Sequence, residues 1–376
     1  MAVRSASKNW LLIAVAAALF AVGLLTLLMI GALNTGPAGL IVGMLLAALP
    51  VPFYLALALS VDRYEKEPMW MLGMAFLWGA AGAVFISFIL NSINSAFFGA
   101  LGGTDAAALG GSVISAPFVE ETTKALALFA FFIWKKDEFD GVLDGIVYAG
   151  MVGLGFAMTE NVSYYGQALA SGGLPGTVLI RGVLAPFSHP LFTAMTGVGL
   201  GIARETTKRQ LKLIAPLAGL SLAMMLHGTW NLSASFGAAF LGVYVLVMVP
   251  TFFALLGIVL YAQARERRII RANLTPYVQT GHLSPAELQS LCAFGGRMKT
   301  LYAATTAGGM AGYRREACFQ QAASELAFHR WRTERGITRG TGEYVEVEAE
   351  YLRLIATSRA STAPAGAPYG GYGAGA

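Results

Sequence analysis

Four groups of ionisable residues stand inside otherwise apolar runs of this chain: Glu120-Glu121-x-x-Lys124, Glu160-Asn161, His189-x-x-x-Thr193 and His227-x-x-x-Asn231. On a helix, Glu120 and Lys124 lie one turn apart on one face, and Glu121 sits about 100° round from Glu120. His227 and Asn231 share a face by the same spacing. Hydrolysis of a peptide bond without a covalent intermediate needs a base for water, a donor for the oxyanion and a proton for the leaving amine. Glu120 or Glu121 can be the base. His189 and His227 can hold the water or donate to the oxyanion, and the Asn231 amide is a neutral donor. Lys124 compensates the charge of one of the adjacent carboxylates.

Other chemistries fit less well. The two cysteines, Cys292 and Cys318, lie in the polar C-terminal third, so no intramembrane thiol is present and no disulfide framework is expected. Ser112, Ser115 and Ser188 fall near the acidic and histidine groups, yet nothing resembles a serine-hydrolase motif. Two histidines and a glutamate make a zinc ligand set with an open position. No His-Glu-x-x-His signature is present, so the expectation is a glutamate-activated water and no cofactor, with zinc as the lesser reading.

Each group also has a plainer explanation. Lys124 can neutralise a glutamate simply to make its helix insertable, and His189, followed by Pro190, can be a helix-start residue. A histidine such as His227 is often just hydrogen-bonded. Asp144 reads as interfacial, and Asn91 and Asn94 as interhelical hydrogen-bonding groups. The carboxylates and histidines carry weight together because a charge at mid-bilayer costs a few kcal/mol at least, which makes it a functional-site hypothesis by default.

The elements that must position these groups are membrane spans. Of 376 residues, 56% are hydrophobic and 12% charged, about half the charge of an ordinary soluble domain. Apolar runs of span length recur, predicting an all-α polytopic bundle of about eight spans near 9–33, 37–61, 69–99, 111–134, 140–166, 186–204, 211–235 and 238–264. Arg4 and Lys8 before the first run suggest a signal peptide, but its length favours a retained span.

With the N-terminus inside, the inner segments hold Arg4, Lys8, Arg63, Lys66, Lys135, Lys136, Arg204, Lys208, Arg209, Lys212, Arg265, Arg267, Arg268 and Arg271. The outer ones hold Arg181 alone. The positive-inside rule therefore predicts both termini in the cytoplasm, best suited to a bacterial plasma membrane. The basic residues act as topology signals, and no nucleic-acid partner is expected. At 1.5 Å per residue, Glu120 lies roughly 14 Å, His227 roughly 12 Å and Glu160 roughly 9 Å from the outer ends of their spans, with His189 nearer still. Spans alternate in direction, so this agreement points to one shared site in the outer half of the bilayer.

Residues 1–265 are thus expected to form a transmembrane catalytic core. Residues 266–360 form a cytoplasmic helical tail, opening with the helix-start signal Ser284-Pro285-Ala286-Glu287, and its acidic stretch Glu343–Tyr351 can pair with basic neighbours. Residues 361–376, rich in Gly, Ala, Pro and Tyr, are expected to be disordered. The same carboxylates and histidines could instead relay protons in a coupled transporter, although no repeated half is evident. A weaker reading is a receptor whose output is the tail.

The motifs, taken in order, resemble those of the PrsW family of intramembrane proteases, which belongs with the CAAX-type prenyl endopeptidases and related immunity proteins. The similarity begins at Asp62-Arg63-Tyr64-Glu65-Lys66-Glu67-Pro68 and continues through Glu120-Glu121-x-x-Lys124 and Gly153-Leu154-Gly155-Phe156-Ala157-Met158-Thr159-Glu160-Asn161. It closes with His189-Pro190-Leu191-Phe192-Thr193 and His227-Gly228-Thr229-Trp230-Asn231. It covers roughly residues 40–265. The resemblance implies catalysis by Glu120, Glu121, His189, His227 and Asn231, supported by Lys124, Phe156, Glu160 and Asn161. Glu160 and Thr193 stand where the prenyl endopeptidase branch usually has other residue types, which favours the PrsW branch. Members of that branch are associated with cleaving membrane-anchored anti-sigma factors on the outer side, so the implied partners are a membrane-anchored protein substrate and the bilayer.

Overall fold

A computed structural model describes residues 9–136, 138–237, 239–335 and 341–360. Every regular element among them is helical. The chain forms two units: a membrane unit running to Arg63 and again over Glu67–Leu260, and a second unit of Tyr64–Lys66 with the residues from Tyr261 onward.

The membrane unit contains helices α1 (Asn9–Ile30), α2 (Gly36–Ala48), α3 (Val51–Val61), α4 (Met69–Leu77), α5 (Val84–Leu109), α6 (Ala116–Trp134) and α7 (Val142–Ser171). They are followed by α8 (Leu174–Val178), α9 (Ser188–Glu205), α10 (Arg209–Ala234), α11 (Ala239–Val243) and α12 (Val249–Gln279), the last continuing into the second unit. Six apolar helical stretches are long enough to cross a membrane, and the two longest, Trp10–Val61 and Met69–Trp134, run for 52 and 66 residues. A single crossing takes about 20 residues, so each of these two can hold two of the expected spans. Both break where a glycine adopts a backbone that other residues resist: Gly36 at φ 67° and Gly103 at φ 76°. One feature was not foreseen in the sequence. Before α9, the chain forms α8 and a wide π-helical turn, Leu179–Leu184, which carries Arg181.

Helix α7 is the axis of this unit. Its most apolar window is 83% buried, against 6% for the first stretch, whose leucines and phenylalanines face outward as lipid-facing residues do. Small residues let its neighbours reach it. A Cβ on Gly145 would lie 2.1 Å from the Gly197 carbonyl oxygen of α9, and one on Gly153 would lie 2.7 Å from the Pro190 backbone. Such close approach of backbones is how helices associate where no hydrophobic driving force separates protein from lipid. Asp144, expected at an interface, occupies the first turn of α7 and accepts hydrogen bonds from the Asp140 and Gly141 amides at 2.8 and 2.7 Å.

The second unit packs the end of α12 with α13 (Pro285–Cys292), α14 (Gly296–Glu334) and α15 (Thr341–Ala360) around Ile270, Leu274, Leu291, Phe319, Leu326 and Ile355. The helix-start signal is realised as a reciprocal cap: Ser284 Oγ accepts from the Glu287 amide at 3.2 Å, and Glu287 Oε2 accepts from the Ser284 amide at 2.7 Å. Arg332 bonds Glu65 at 2.9 Å. In the acidic stretch, Glu348 accepts from the Tyr277 hydroxyl rather than from a basic neighbour. Residues 361–376 lie outside the described residues.

Candidate active site

Helix α6 supplies Glu120, Glu121 and Lys124 just after a π-helical turn, Gly110–Ser115, and Pro117 in its first turn suits the start of a helix. Lys124 is fully buried, and Glu121 and Glu120 are 1% and 6% exposed. Helix α7 contributes Phe156, Glu160 and Asn161; α9 contributes His189 and Thr193; α10 contributes His227 and Asn231. The close contact of Gly153 with Pro190 seats the start of α9 against α7, about two turns before Glu160, and this places His189 in the cluster.

The two adjacent glutamates have different surroundings. Glu121 is saturated: Oε1 accepts from Lys124 Nζ at 2.8 Å and His227 Nδ1 at 3.0 Å, and Oε2 accepts from the Thr193 hydroxyl at 3.0 Å. Glu120 is not. Asn91 Nδ2 donates to its Oε1 at 3.3 Å, whereas its buried Oε2 has no hydrogen-bond partner. Around that oxygen stand Lys124 Nζ at 3.7 Å and His227 Nε2 at 3.9 Å.

The hydrogen bonds define the histidine tautomers. Lysine only donates, so the contact of Lys124 Nζ with His189 Nδ1 at 3.0 Å makes Nδ1 the acceptor. The His189 proton is then on Nε2, which donates to Glu160 Oε2 at 2.9 Å. His227 donates from Nδ1 to Glu121, which leaves the Nε2 of the neutral ring with its lone pair toward Glu120. The His227 ring also stacks on Phe192 at 5.2 Å, and the Lys124 ammonium lies 3.9 Å from the centre of the Phe156 ring.

Supporting groups came from two places that the sequence motifs did not mark. Arg181, on the turn before α9, pairs with Glu160, donates to Asn161 Oδ1 at 2.6 Å and lies 3.7 Å over the Tyr164 ring. Its being the lone basic residue of the outer segments was the available signal. On α5, Asn94 donates to Ser115 Oγ at 2.7 Å, Ser115 donates to Asn91 Oδ1 at 2.9 Å, and Asn91 reaches Glu120. The asparagines are interhelical, as expected, and they also orient the catalytic candidate. Asn231 stands apart from the rest: its amide donates to the Ser112 carbonyl at 2.9 Å and makes no bond to a glutamate or histidine of the cluster.

A cavity of about 720 Å³ opens onto Glu120 and Glu160. Polar side chains of α5 (Ser87, Asn91, Ser95) and α7 (Ser163, Gln167) face it. Glu120 and Glu160 thus border a space large enough for water and part of a peptide segment, while Glu120 Oε2 itself is buried.

The donor set also suits a cation. Glu120, His189 and His227 each offer one ligand atom, all within 4.8 Å of one another. The orphaned Glu120 Oε2 and the Lys124 ammonium lodged beside it both indicate a position built for positive charge. These donors come from three different helices, α6, α9 and α10, so no single-helix spacing signature such as His-Glu-x-x-His would reveal them.

A bundle of span-length apolar helices with buried carboxylates and histidines beside a polar cleft is an arrangement suited to an intramembrane hydrolase. The family model for PrsW family intramembrane metalloproteases matches residues 67–255, and this chain belongs to that family. Over 221 residues it is 34% identical to the protein called Protease PrsW from Oceanobacillus iheyensis, which covers 57% of this chain and 94% of the relative. The Geobacillus kaustophilus and Bacillus subtilis proteins of the same name are 34% and 30% identical over 170 and 174 residues. Those matches cover 45% of this chain each, and 69% and 72% of the relatives. No solved structure matches.

The protein is thus a multi-pass membrane protease, and the transporter and receptor readings give way to this one. The expectation of a cofactor-free site meets a family described as metalloproteases and a triad that fits an ion.

Proposed function

We propose that this protease cleaves membrane-anchored proteins in the outer half of the bilayer, with Glu120 as the group that activates water. The observation that carries this reading is the buried Glu120 Oε2, the one carboxylate oxygen of its kind without a hydrogen-bond partner among the described residues, on a glutamate that borders the cleft. It can take a proton from an attacking water and return it to the leaving amine. Glu121, bonded on both oxygens, instead fixes His227 in the tautomer that turns Nε2 toward Glu120. Glu160, braced by Arg181, does the same for His189. One amide proton of Asn231 is used by the Ser112 carbonyl, and the other is available to an oxyanion.

If a divalent metal ion binds, Glu120, His189 and His227 would hold it, and the Glu120 carboxylate would then serve as a ligand in place of the free base. The bound group supplies Lewis-acid polarisation of water and of the scissile carbonyl. The distribution of basic residues supports cytoplasmic termini and a plasma-membrane location. In this reading residues 1–265 are the protease core and residues 266–360 a cytoplasmic tail. Attack from the outer side, and the association of the PrsW branch with anti-sigma factors, make single-span proteins of that kind the substrates to try first.

The test is cleavage of single-span membrane proteins by the purified full chain in detergent, wild type beside Glu120→Gln and Glu120→Ala/Glu121→Ala, with and without a chelator. Loss in both variants is expected. Full activity in Glu120→Gln would refute the assigned base, and activity that survives chelation would remove the metal from the mechanism.

A further inference from the structure

Lys124 is buried completely, yet its ammonium is not limited to an ion pair with one glutamate. It stands 2.8 Å from Glu121 Oε1, 3.7 Å from Glu120 Oε2 and 3.0 Å from His189 Nδ1, over the face of Phe156. Two of those neighbours, Glu120 and His189, belong to the triad able to hold a metal ion. The His189 contact is the informative one. Its Nε2 carries the proton and donates to Glu160, so Nδ1 is the only ring nitrogen with a lone pair to offer. That lone pair is already taken by Lys124. A metal ion can use His189 in this tautomer only if the ammonium leaves Nδ1.

Charge points the same way. Glu120, Glu121 and Glu160 are set against two basic side chains, Lys124 and Arg181, in a largely buried cluster. A divalent ion added to that set places two like-signed centres a few ångströms apart, where repulsion is only weakly screened.

We propose that Lys124 is a tethered cation that occupies the metal position of this protease and competes with the ion for it. The inference rests on the reading that Glu120, His189 and His227 bind a metal. Lys124 thereby acts as a positioning residue in the metal-free protein, holding His189 and both glutamates in register, and it sets how tightly the ion binds. Weak, exchangeable metal binding follows, in contrast to structural sites closed by permanent ligands.

The experiment is equilibrium binding of Co²⁺ to the purified, metal-stripped full chain in detergent, followed by the visible absorption of the bound ion. Wild type is compared with Lys124→Met, an unbranched side chain one atom shorter and without charge, and with Lys124→Ala. We expect both variants to bind at least about tenfold tighter than wild type, as removal of an adjacent like charge requires. In Lys124→Ala, added n-propylammonium, which restores the deleted stem and its charge, should weaken Co²⁺ binding, and it should leave wild type unaffected. Unchanged or weaker binding in the variants that fold, with no effect of propylammonium, would show that Lys124 only organises the ligands and would overturn the proposal. Absence of Co²⁺ binding in all three proteins would overturn the metal reading and this proposal with it. Thermal unfolding of each variant reports whether it is folded, and two variants of different size keep the comparison usable if one is not.

Discussion

Adding one methyl group to Gly153 should disable this protease from a position that bears no chemistry. The Cβ of Gly153→Ala would lie 2.7 Å from both Pro190 N and Pro190 Cα, and 2.8 Å from the His189 carbonyl carbon. All three are backbone atoms and none can rotate aside. Relief requires the first turn of α9 to withdraw from α7 by roughly 0.7 Å to reach ordinary contact, a shift typical of overpacked cores. His189 begins that turn. Its bonds to Glu160 and Lys124, at 2.9 and 3.0 Å, would stretch beyond useful hydrogen-bond range.

Misplacement of about 1 Å in a catalytic group can cost 10²-fold in rate, and overpacking costs about 1–3 kcal/mol of stability. The assay is cleavage of a single-span test substrate together with thermal unfolding in the same detergent. Gly150→Ala is the control, since it lies one turn earlier on α7 with nothing within 4 Å of its Cβ position. It should keep full activity and unfold no earlier, as alanine is the better helix former by about 1 kcal/mol. Wild-type cleavage by Gly153→Ala would refute the argument that the α7–α9 contact positions His189.

Two further perturbations test the supports of the site and of its far end. Arg181→Met leaves the Glu160 carboxylate without its guanidinium partner, which should destabilise the protein by about 3 kcal/mol and lower the cleavage rate; an unfolding temperature equal to wild type would deny Arg181 that role. Arg181→Lys should restore stability only in part, because a point charge does not reproduce contacts to Glu160 and Asn161 together. Glu67, just before α4, has its pKa pushed well above the usual carboxylate range by burial and then by the nearby Asp144 and Asp62. An acid whose pKa rises on folding contributes stability while it is protonated and loses it as pH climbs through the folded value. Stability should therefore fall as pH rises from about 4 through the shifted value, and Glu67→Gln, which still accepts from Tyr148, should flatten that fall in unfolding scans across the range.

The legible part of this molecule was its solvent and its inventory. Apolar runs longer than a bilayer crossing leave the backbone no option but helix, so the all-α bundle and the approximate spans follow from composition and length. A buried charge in lipid is costly, which is why Glu120, Glu121, Glu160, His189 and His227, taken together, stood out as candidates. Ser284 and Glu287 announced a helix start because both halves of that cap lie within four residues.

What the chain could not disclose locally is anything decided between helices. Adjacent Glu120 and Glu121 read as equivalent in sequence. They differ because Thr193 and His227 hydrogen-bond one, whereas the other accepts a hydrogen bond from Asn91 and has Lys124 and His227 only at 3.7 and 3.9 Å. Arg181 read as a topology residue until a short helix returned it to Glu160. Asn231 read as an oxyanion donor beside His227, yet its amide is drawn to the Ser112 carbonyl on the preceding turn of another segment. The triad that could hold a metal ion is divided among α6, α9 and α10, where no motif on one helix marks it. Helical periodicity determines which side chains share a face, but only the packing of one helix against another, here through Gly153 and Pro190, decides which faces meet and which carboxylate oxygen is left free.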